Sequence, residues 1–167
     1  MSDPQYRVAT PDEHREFRLH CELGRLDLVQ WLLSGPIDYR DSYPTALEYA
    51  ALGGQLPVMQ HLVSLGVLLD EEEEAGPQAL WTACAHGQLE AVRYLLGEGV
   101  DLHSGEEQGL CDAADGGHRA VVEYLLQRGA DPAAQNSLAL GYAVDINHPE
   151  VVDLLIRRGA PLGSGWK

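Results

Sequence analysis

A glycine recurs at a nearly constant interval along most of the chain, each time between two short apolar segments. The recurring positions are Gly24, Gly54, Gly87, Gly117 and Asn147, at separations of 30, 33, 30 and 30 residues. A residue that ends one helix and turns the chain into the next needs a positive φ, which glycine adopts without steric cost and asparagine tolerates. The interval therefore predicts five tandem helix–turn–helix units, because self-similarity at such a period is the signature of a stacked repeat protein.

The segments on either side of each recurring position have the patterns of two different helices. The segment before it carries small residues where the first helices of neighbouring units must approach closely. In the clearest copies these are Ala50 and Ala51, Ala83 and Cys84, and Ala113 and Ala114. The segment after it repeats large aliphatic residues three to four positions apart, which makes one apolar face of a second helix.

Local signals mark where several of these helices begin. Thr10 precedes Pro11, and Glu13 lies three residues after Thr10, which is the pattern of a capping box with proline at the first helical position. Pro57 and Pro149 lie at the start of second helices, where the missing N–H of proline has no helical partner to lose. These signals predict the same helix boundaries as the glycine spacing.

The combined pattern resembles the ankyrin repeat. Ala-Leu-x-x-Ala-Ala-x-x-Gly followed by His-x-x-Val-Val-x-x-Leu-Leu-x-x-Gly-Ala-Asp is matched best by residues 109–131, and the resemblance covers about residues 10–162. There are two departures. The family's Thr-Pro-Leu-His opening survives only at residues 45–48, and three separations are 30 residues where the family has about 33.

The resemblance implies an all-α ankyrin-repeat solenoid whose hairpin fingers are mostly shortened to tight loops. Stacking is required because one unit cannot bury its own apolar face. We expect a single domain at residues 10–162, flanked by loose tails at residues 1–9 and 163–167. The predicted repeats are about 10–41, 42–74, 75–104, 105–134 and 135–162.

The charge of the chain narrows its possible partners. The sequence contains 11 Lys and Arg against 26 Asp and Glu, a net charge of −15. A chain with this much negative charge repels the phosphates of nucleic acids, and we therefore expect no direct nucleic-acid partner. A protein with a basic surface is the expected partner instead. The apolar runs are far shorter than the roughly 20 residues of a membrane helix, so we expect no membrane association.

The cysteines and the first residues of the chain indicate the cellular compartment in which the protein is expected. Three cysteines, an odd number with no close pair, argue against a disulfide framework. The first ten residues lack the basic and apolar regions of a secretory signal. We therefore expect a cytoplasmic protein, with a monomer favoured and a dimer left open.

No pattern in the chain indicates catalysis or a cofactor. Cys21 and Cys84 occupy the small slot of the first helix that other copies fill with alanine, which predicts a packing role. Cys111 is next to Asp112, whose charge raises a thiol pKa and so disfavours a nucleophile. A Gly-x-Ser-x-Gly nucleophile turn is also missing from the sequence. We predict a protein that is not an enzyme and needs no cofactor; an enzyme is an alternative that requires a reactive group not found here.

Seven histidines raise the question of a metal site. His118 and His148 follow the helix-ending residue, where the ankyrin family commonly has histidine in a structural role. The other five show no i, i+4 pair and no cysteine at zinc-like spacing, so we predict no metal site. These five are His14, His20, His61, His86 and His103.

Two registers place aromatic residues in successive repeats. One, on the second helices, holds Trp31, His61, Tyr94, Tyr124 and Leu154, which we expect to pack at the seam between repeats. The other lies on the first helices and, by the resemblance, faces the concave groove together with residues three and four positions later. The groove then holds Leu19, Glu22, Tyr49, Leu52, Trp81, Thr82, His86, Asp112, Asp115, Tyr142 and Asp145. Tyrosine and tryptophan beside carboxylates are typical of a protein-binding surface, although a solvated face without a partner is the alternative.

A run of acidic residues lies in the only connector that keeps the family's full length, between Gly66 and Gln78. The run is Asp70, Glu71, Glu72, Glu73 and Glu74. A solvated loop is the simplest interpretation, and the alternative is a finger that contacts a basic partner. Together with the groove, it suggests a non-enzymatic protein-binding module, most specifically an acidic inhibitor or immunity-type protein that masks a basic partner. The alternative is a scaffold or adaptor that bridges two proteins without inhibiting either.

Overall fold

The computed structural model of the protein describes residues 7–69 and 75–161. Within these ranges the chain forms ten helices arranged as five consecutive pairs, as the recurring glycines predict. The first helices of the pairs are α1 (Pro11–Glu22), α3 (Tyr43–Leu52), α5 (Ala75–Ala85), α7 (Ser104–Asp115) and α9 (Ala134–Asp145). The second helices are α2 (Leu26–Leu33), α4 (Leu56–Ser64), α6 (Leu89–Gly97), α8 (Arg119–Arg128) and α10 (Pro149–Arg157).

Each first helix packs against the first helix of the next pair, and the second helices stack beside one another in a parallel row. Most of the residues predicted to lie between first helices are buried: Cys21, Ala50, Ala51, Ala83, Cys84, Ala113, Ala114 and Ala143. His20 and Val144, predicted with them, are half-buried. The large aliphatic residues of both rows close the core, which runs through all five pairs as one continuous cluster. The prediction of an all-α solenoid is therefore confirmed.

All five recurring residues have the predicted left-handed backbone. The φ angles are 69° at Gly24, 66° at Gly54, 69° at Gly87, 69° at Gly117 and 64° at Asn147. The four glycines also meet a second requirement that the sequence does not reveal. Each glycine is covered by a side chain of the following repeat, which comes from the residue directly after that repeat's own recurring position. A Cβ atom on the glycine would collide with this side chain. The covering residues are Gln55 over Gly24, Gln88 over Gly54, His118 over Gly87 and His148 over Gly117.

The N-terminal segment before α1 belongs structurally to the first repeat from residue 7 onward. Two short strands, β1 (Arg7–Val8) and β2 (Ile37–Asp38), pair in parallel, and Ala9 is buried. Arg7 also forms an ion pair with Glu13, and the predicted capping box between Thr10 and Glu13 is present. The pairing ties the connector after α2 to the start of α1. The remaining predicted tail residues, 1–6 and 163–167, lie outside the described residues.

Left-handed turns begin the first helices of the last two repeats. Gly105, Glu106 and Glu107 have φ between 55° and 71°, and residues 135–137 have φ between 50° and 64°. Left-handed backbone is unfavourable for non-glycine residues. Hydrogen bonds between the two turns offset that cost: Nε2 of Gln135 donates to the Glu106 carbonyl at 2.7 Å. These turns take the place of the projecting fingers in the short connectors.

The buried Glu107 side chain ties the first of these turns to the next connector. Its Oε1 atom lies 2.6 Å from Nδ1 of His103 and accepts the Asp131 backbone N–H at 3.0 Å. One carboxylate thus links the His103 side chain, before the turn, to the backbone of Asp131 in the next connector.

The predicted aromatic column at the seam is only partly present. Leu154 is buried, and His61, Tyr94 and Tyr124 are half-buried, but Trp31 is 69% exposed. The expectation that Trp31 packs in the seam is therefore wrong. Its side of α2 has no preceding repeat in the described residues to pack against, although the register on the helix is the same.

Candidate functional site

The candidate binding surface is the solvent side of the row of first helices, which we call the first-helix face. Besides Leu19, it contains ten residues that were predicted for the groove, and none of them is buried. They are Glu22, Tyr49, Leu52, Trp81, Thr82, His86, Asp112, Asp115, Tyr142 and Asp145. Leu19, predicted with them, is 47% exposed. The α-helical register brings these residues to one side because each repeat begins and ends its first helix at equivalent positions.

Four of the predicted residues line one cavity between α5 and α7, which we call the central pocket. It has a volume of about 430 Å³ and lies near the middle of the first-helix face. The lining residues are Gln78, Trp81, Thr82, Ala85, His86, Gly105, Gln108 and Asp112. The other described residues of this face lie outside the pocket.

Asp112 is the only acidic residue among those lining the central pocket. It is half-buried, and Nε2 of Gln108 donates to its Oδ1 atom at 2.8 Å. Burial raises the pKa of Asp112 above its usual value; the Gln108 hydrogen bond lowers it, and the nearby Asp115 charge raises it further. The partner of this carboxylate is thus a neutral amide, and among the described residues no arginine or histidine pairs with it.

Trp81 forms the aromatic side of the central pocket in a defined orientation. Its indole Nε1–H donates to the Ser104 hydroxyl at 3.1 Å, across to the next repeat. The ring also lies close to the backbone of Gly105, where a Cβ atom would be 2.7 Å from the indole. Glycine at this position therefore lets the ring pack against the left-handed turn.

The remaining polar groups of the pocket are linked to the neighbouring helix. The Thr82 hydroxyl donates to Oε1 of Glu48 at 3.4 Å, and Nδ1 of His86 donates to the Thr82 carbonyl at 2.9 Å. Glu48, on α3, adds another acidic group beside the pocket. The first of these bonds links α5 to α3, and the second joins Thr82 to the residue just after the end of α5.

Both ends of the first-helix face carry exposed apolar or aromatic groups. At the N-terminal end, the Arg18 guanidinium lies over the Tyr49 ring at 5.8 Å, and Leu19 is exposed. At the C-terminal end, Tyr142 is 37% exposed and Ile146 is 56% exposed. The face therefore has a polar and acidic centre with apolar residues on both sides.

Sequence reasoning missed several residues that build this site. Glu48, Gln78, Ser104 and Gln108 each contact or line it but were not predicted. Two of them carry a usable signal: Glu48 shares the register of Trp81, and Gln108 lies one turn before Asp112 on the same helix. Ser104 has no such signal, because its position depends on the left-handed turn. The predicted acidic run at residues 70–74 lies outside the described residues.

The three thiols and two of the histidines are placed for packing. All three cysteines are buried, and burial raises the pKa of Cys21 to about 12 and that of Cys111 to about 11. Asp112 contributes to the Cys111 shift, as predicted. Burial also raises the pKa of the Cys84 thiol, with Asp112 adding to the effect. His118 and His148 have the predicted structural role, since each covers a glycine of the preceding repeat.

A metal-binding cluster and a membrane-spanning helix are both absent from residues 7–69 and 75–161. No three histidine, cysteine or acidic side chains in these ranges lie close enough to hold a metal ion. No helix in the same ranges is long and apolar enough to span a lipid bilayer.

The fold and this face define a class of protein: a stack of helical hairpins that presents one exposed surface along its first helices. A family model described as ankyrin repeats in three copies matches residues 17–106 and 47–136, which together span more than half of the chain. The protein therefore belongs to the ankyrin repeat family, whose members are protein–protein interaction modules. No curated protein matches the chain.

Proposed function

We propose that this protein binds a basic surface of another protein through the first-helix face and thereby masks it, as an inhibitor or an immunity-type protein does. The observation that supports this proposal most strongly is the composition of that face. Asp112, Asp115 and Asp145 lie beside exposed or half-exposed Trp81 and Tyr142 on rigid, stacked helices. Carboxylates give charge complementarity and fast association, and aromatic residues give most of the contact energy in protein interfaces.

The net charge of −15 supports the choice of a basic partner. An acidic protein attracts a cationic surface over distances of about one Debye length, roughly 10 Å at 0.1 M salt. The proposal includes the acidic run at residues 70–74 as a second contact on the same partner. Masking follows if the face covers a functional basic cleft, because a rigid solenoid excludes other ligands from the surface it covers.

The proposal includes neither catalysis nor a cofactor. The three thiols are buried with raised pKa values, and the histidines of the two structural positions are engaged with backbone. We also propose a cytoplasmic location, because free thiols in a small domain fit a reducing compartment.

Affinity capture from native lysate with two matched variants tests the proposal. The face variant is Asp112→Asn, Asp115→Asn, Asp145→Asn. The control variant, Asp27→Asn, Glu90→Gln, Glu98→Gln, makes the same change in net charge at exposed positions of the second-helix row. We expect a basic protein that the unchanged protein and the control capture at low salt, that the face variant loses, and that is released as salt rises.

The masking function is then tested with the purified partner. An equimolar mixture should abolish the activity of the partner, and the face variant should not. Loss of capture with both variants, or with neither, contradicts the role of the first-helix face. Capture that depends on the face while the activity of the partner is unaffected contradicts masking.

An adaptor is the second candidate, and one observation favours it. Trp31 is 69% exposed and Leu28 41% exposed on α2, on the row opposite the first-helix face. Exposed tryptophan with neighbouring leucine is typical of a contact surface. An adaptor requires two partners, one lost with the face variant and the other lost only with Trp31→Ala.

A further inference from the structure

We propose that the central pocket binds an arginine side chain of the partner, with the guanidinium between the Asp112 carboxylate and the Trp81 indole. This inference rests on the proposed function, since it specifies which group of the basic partner enters the face. It assigns the pocket a ligand of one chemical class, a planar cation.

The first support is the unmatched charge of Asp112. Its carboxylate is half-buried at the pocket wall, and its partner in the described residues is the neutral Gln108 amide at 2.8 Å. Partly desolvating a carboxylate without a cation is unfavourable, and a cation placed beside it recovers that free energy. The raised pKa of Asp112 reflects the same burial and the charge of Asp115. The ligand that this environment favours is therefore positively charged.

The second support is the aromatic wall. Trp81 lines the same cavity, and the bond from its Nε1–H to Ser104 fixes the plane of the ring. Tryptophan is the best aromatic partner for a cation, and arginine is found over aromatic rings more often than lysine. Arginine is also favoured over lysine because its planar guanidinium can stack on a ring and donate to a carboxylate at the same time.

The third support is the set of further acceptors and the size of the cavity. The Thr82 hydroxyl oxygen and the Gln78 and Gln108 side-chain amides line the pocket beside Asp112. A guanidinium has five N–H donors, more than one carboxylate can satisfy. The pocket, about 430 Å³ and open to solvent on one side, gives an arginine side chain access to these acceptors and leaves room for water that completes its hydrogen bonds.

The test uses two capped peptides with the folded, full-length chain: acetyl-Gly-Arg-Gly-amide and the same peptide with citrulline, the neutral isostere of arginine. The readout is the Trp81 indole N–H signal in a ¹H–¹⁵N NMR spectrum, assigned with Trp81→Phe. We expect a saturable shift with the arginine peptide, with a dissociation constant on the order of millimolar, and binding at least about tenfold weaker for citrulline.

Two variants separate the pocket from general electrostatic attraction. Asp112→Asn keeps the size of the side chain and should abolish the saturable shift. Asp27→Asn removes one charge from an exposed position on α2, away from the first-helix face, and should leave it unchanged. A thermal melt of each variant confirms that it folds, and Asp115→Asn is a second readout if Asp112→Asn does not fold, since loss of the neighbouring charge should weaken arginine binding.

Three results overturn the inference: no saturable shift, equal shifts with both peptides, or equal loss in Asp112→Asn and Asp27→Asn. The capture experiment distinguishes this failure from failure of the proposed function. If capture depends on the first-helix face while the peptide does not bind, only the arginine pocket is wrong. If the peptide binds while capture is independent of the first-helix face, the proposed function is wrong, but arginine binding in the central pocket is still supported.

Discussion

Nε2 of His118 donates a hydrogen bond to the Ala85 carbonyl of the preceding repeat at 2.9 Å, while the same imidazole covers Gly87. The contact recurs along the stack. His148 makes it to the Asp115 carbonyl at 2.9 Å, and Gln88 makes it to the Leu52 carbonyl at 2.9 Å through its amide Nε2. The last carbonyls of a helix have no partner within the helix, so these side chains satisfy them from the next repeat. In these three repeats, one residue therefore both caps a helix of the preceding repeat and packs over its glycine.

The equivalence of Gln88 and His118 yields the first prediction. His118→Gln should change the free energy of unfolding by no more than about 0.5 kcal/mol, because the glutamine amide can donate the same bond. His118→Ala should cost about 1 kcal/mol or more, because the bond is lost. Urea denaturation of both variants measures the difference. Equal destabilisation by the two substitutions would show that the imidazole acts by shape and not by donating to Ala85.

The second prediction concerns the two requirements on Gly87. A Cβ atom there would lie 2.6 Å from Nδ1 of His118, and φ is 69°. Gly87→Ala should therefore cost about 1 kcal/mol for the left-handed backbone, and more for displacing the ring. In the His118→Ala background only the backbone cost should remain. A double-mutant cycle by urea denaturation measures the difference, expected at about 0.5–3 kcal/mol.

Asn147→Ala is the matched control for Gly87→Ala. Asn147 also has a positive φ, of 64°, and no side chain of a later described repeat covers it. Its replacement should cost about 1 kcal/mol, as expected for the backbone alone. A zero coupling between positions 87 and 118 would mean that the ring moves aside without cost.

Asn147 also shows how far sequence could predict this fold. The need for a positive φ is local, so spacing and residue type sufficed to predict every helix-ending position. The need for space above glycine is not local, because the covering side chain comes from the next repeat. The last repeat escapes the second requirement within the described residues, which accounts for asparagine there. The five-repeat stack was therefore predictable, and its inter-repeat hydrogen bonds were not.

The left-handed turns mark the limit of prediction for the candidate site. Only Asn136 among the five non-glycine residues of these turns is of a type that favours positive φ, so residue type does not predict a run of three left-handed residues. Their conformation depends on the buried Glu107 carboxylate and on bonds between repeats. Ser104 and Gly105 take their places beside Trp81 through this turn, so the central pocket could be predicted only as far as the α5 and α7 registers. For Trp31 the helical register was predicted correctly but the burial was not. Its side chain is exposed because no preceding repeat in the described residues packs against it.

The third prediction uses the ion pair between His103 and Glu107. The hydrogen bond to Glu107 raises the pKa of His103, helped by the charges of Asp101 and Asp131. Because the folded pKa lies above the unfolded value of about 6.5, the stabilisation is complete below that pH and is lost as pH rises through the folded pKa. His103 is mostly exposed, so screening keeps the effect to about 0.5 kcal/mol.

The measurement compares the protein with His103→Ala by urea denaturation at about pH 5.5 and about pH 8.5. Taking the difference between the two proteins at each pH cancels the contribution of every other titrating group. The advantage of the unchanged protein should be larger at the lower pH. An advantage that grows with pH would mean that His103 does not carry the proton in this pair.

The fourth prediction tests the continuous core. Leu125 on α8 is 1% exposed, and its truncation to alanine leaves a cavity that neighbouring repeats cannot fill. Leu125→Ala should lower the free energy of unfolding by about 2–5 kcal/mol. Leu28→Ala, at a position of α2 that is 41% exposed, is the control and should cost clearly less. Similar losses for both would mean that Leu125 contributes no more to the core than a partly exposed leucine does.

The fifth prediction follows from the buried thiols. A pKa of about 11 for Cys111 leaves fewer than about one thiolate per thousand at pH 8, and the pKa of about 12 for Cys21 leaves fewer still. Burial also blocks access to the sulfur atoms, so a thiol-reactive disulfide reagent should modify the native protein only as fast as the repeats open. In concentrated guanidinium chloride all three thiols should react at once. A single thiol that reacts rapidly in the native protein would identify a repeat whose first helix does not stay packed against its neighbour.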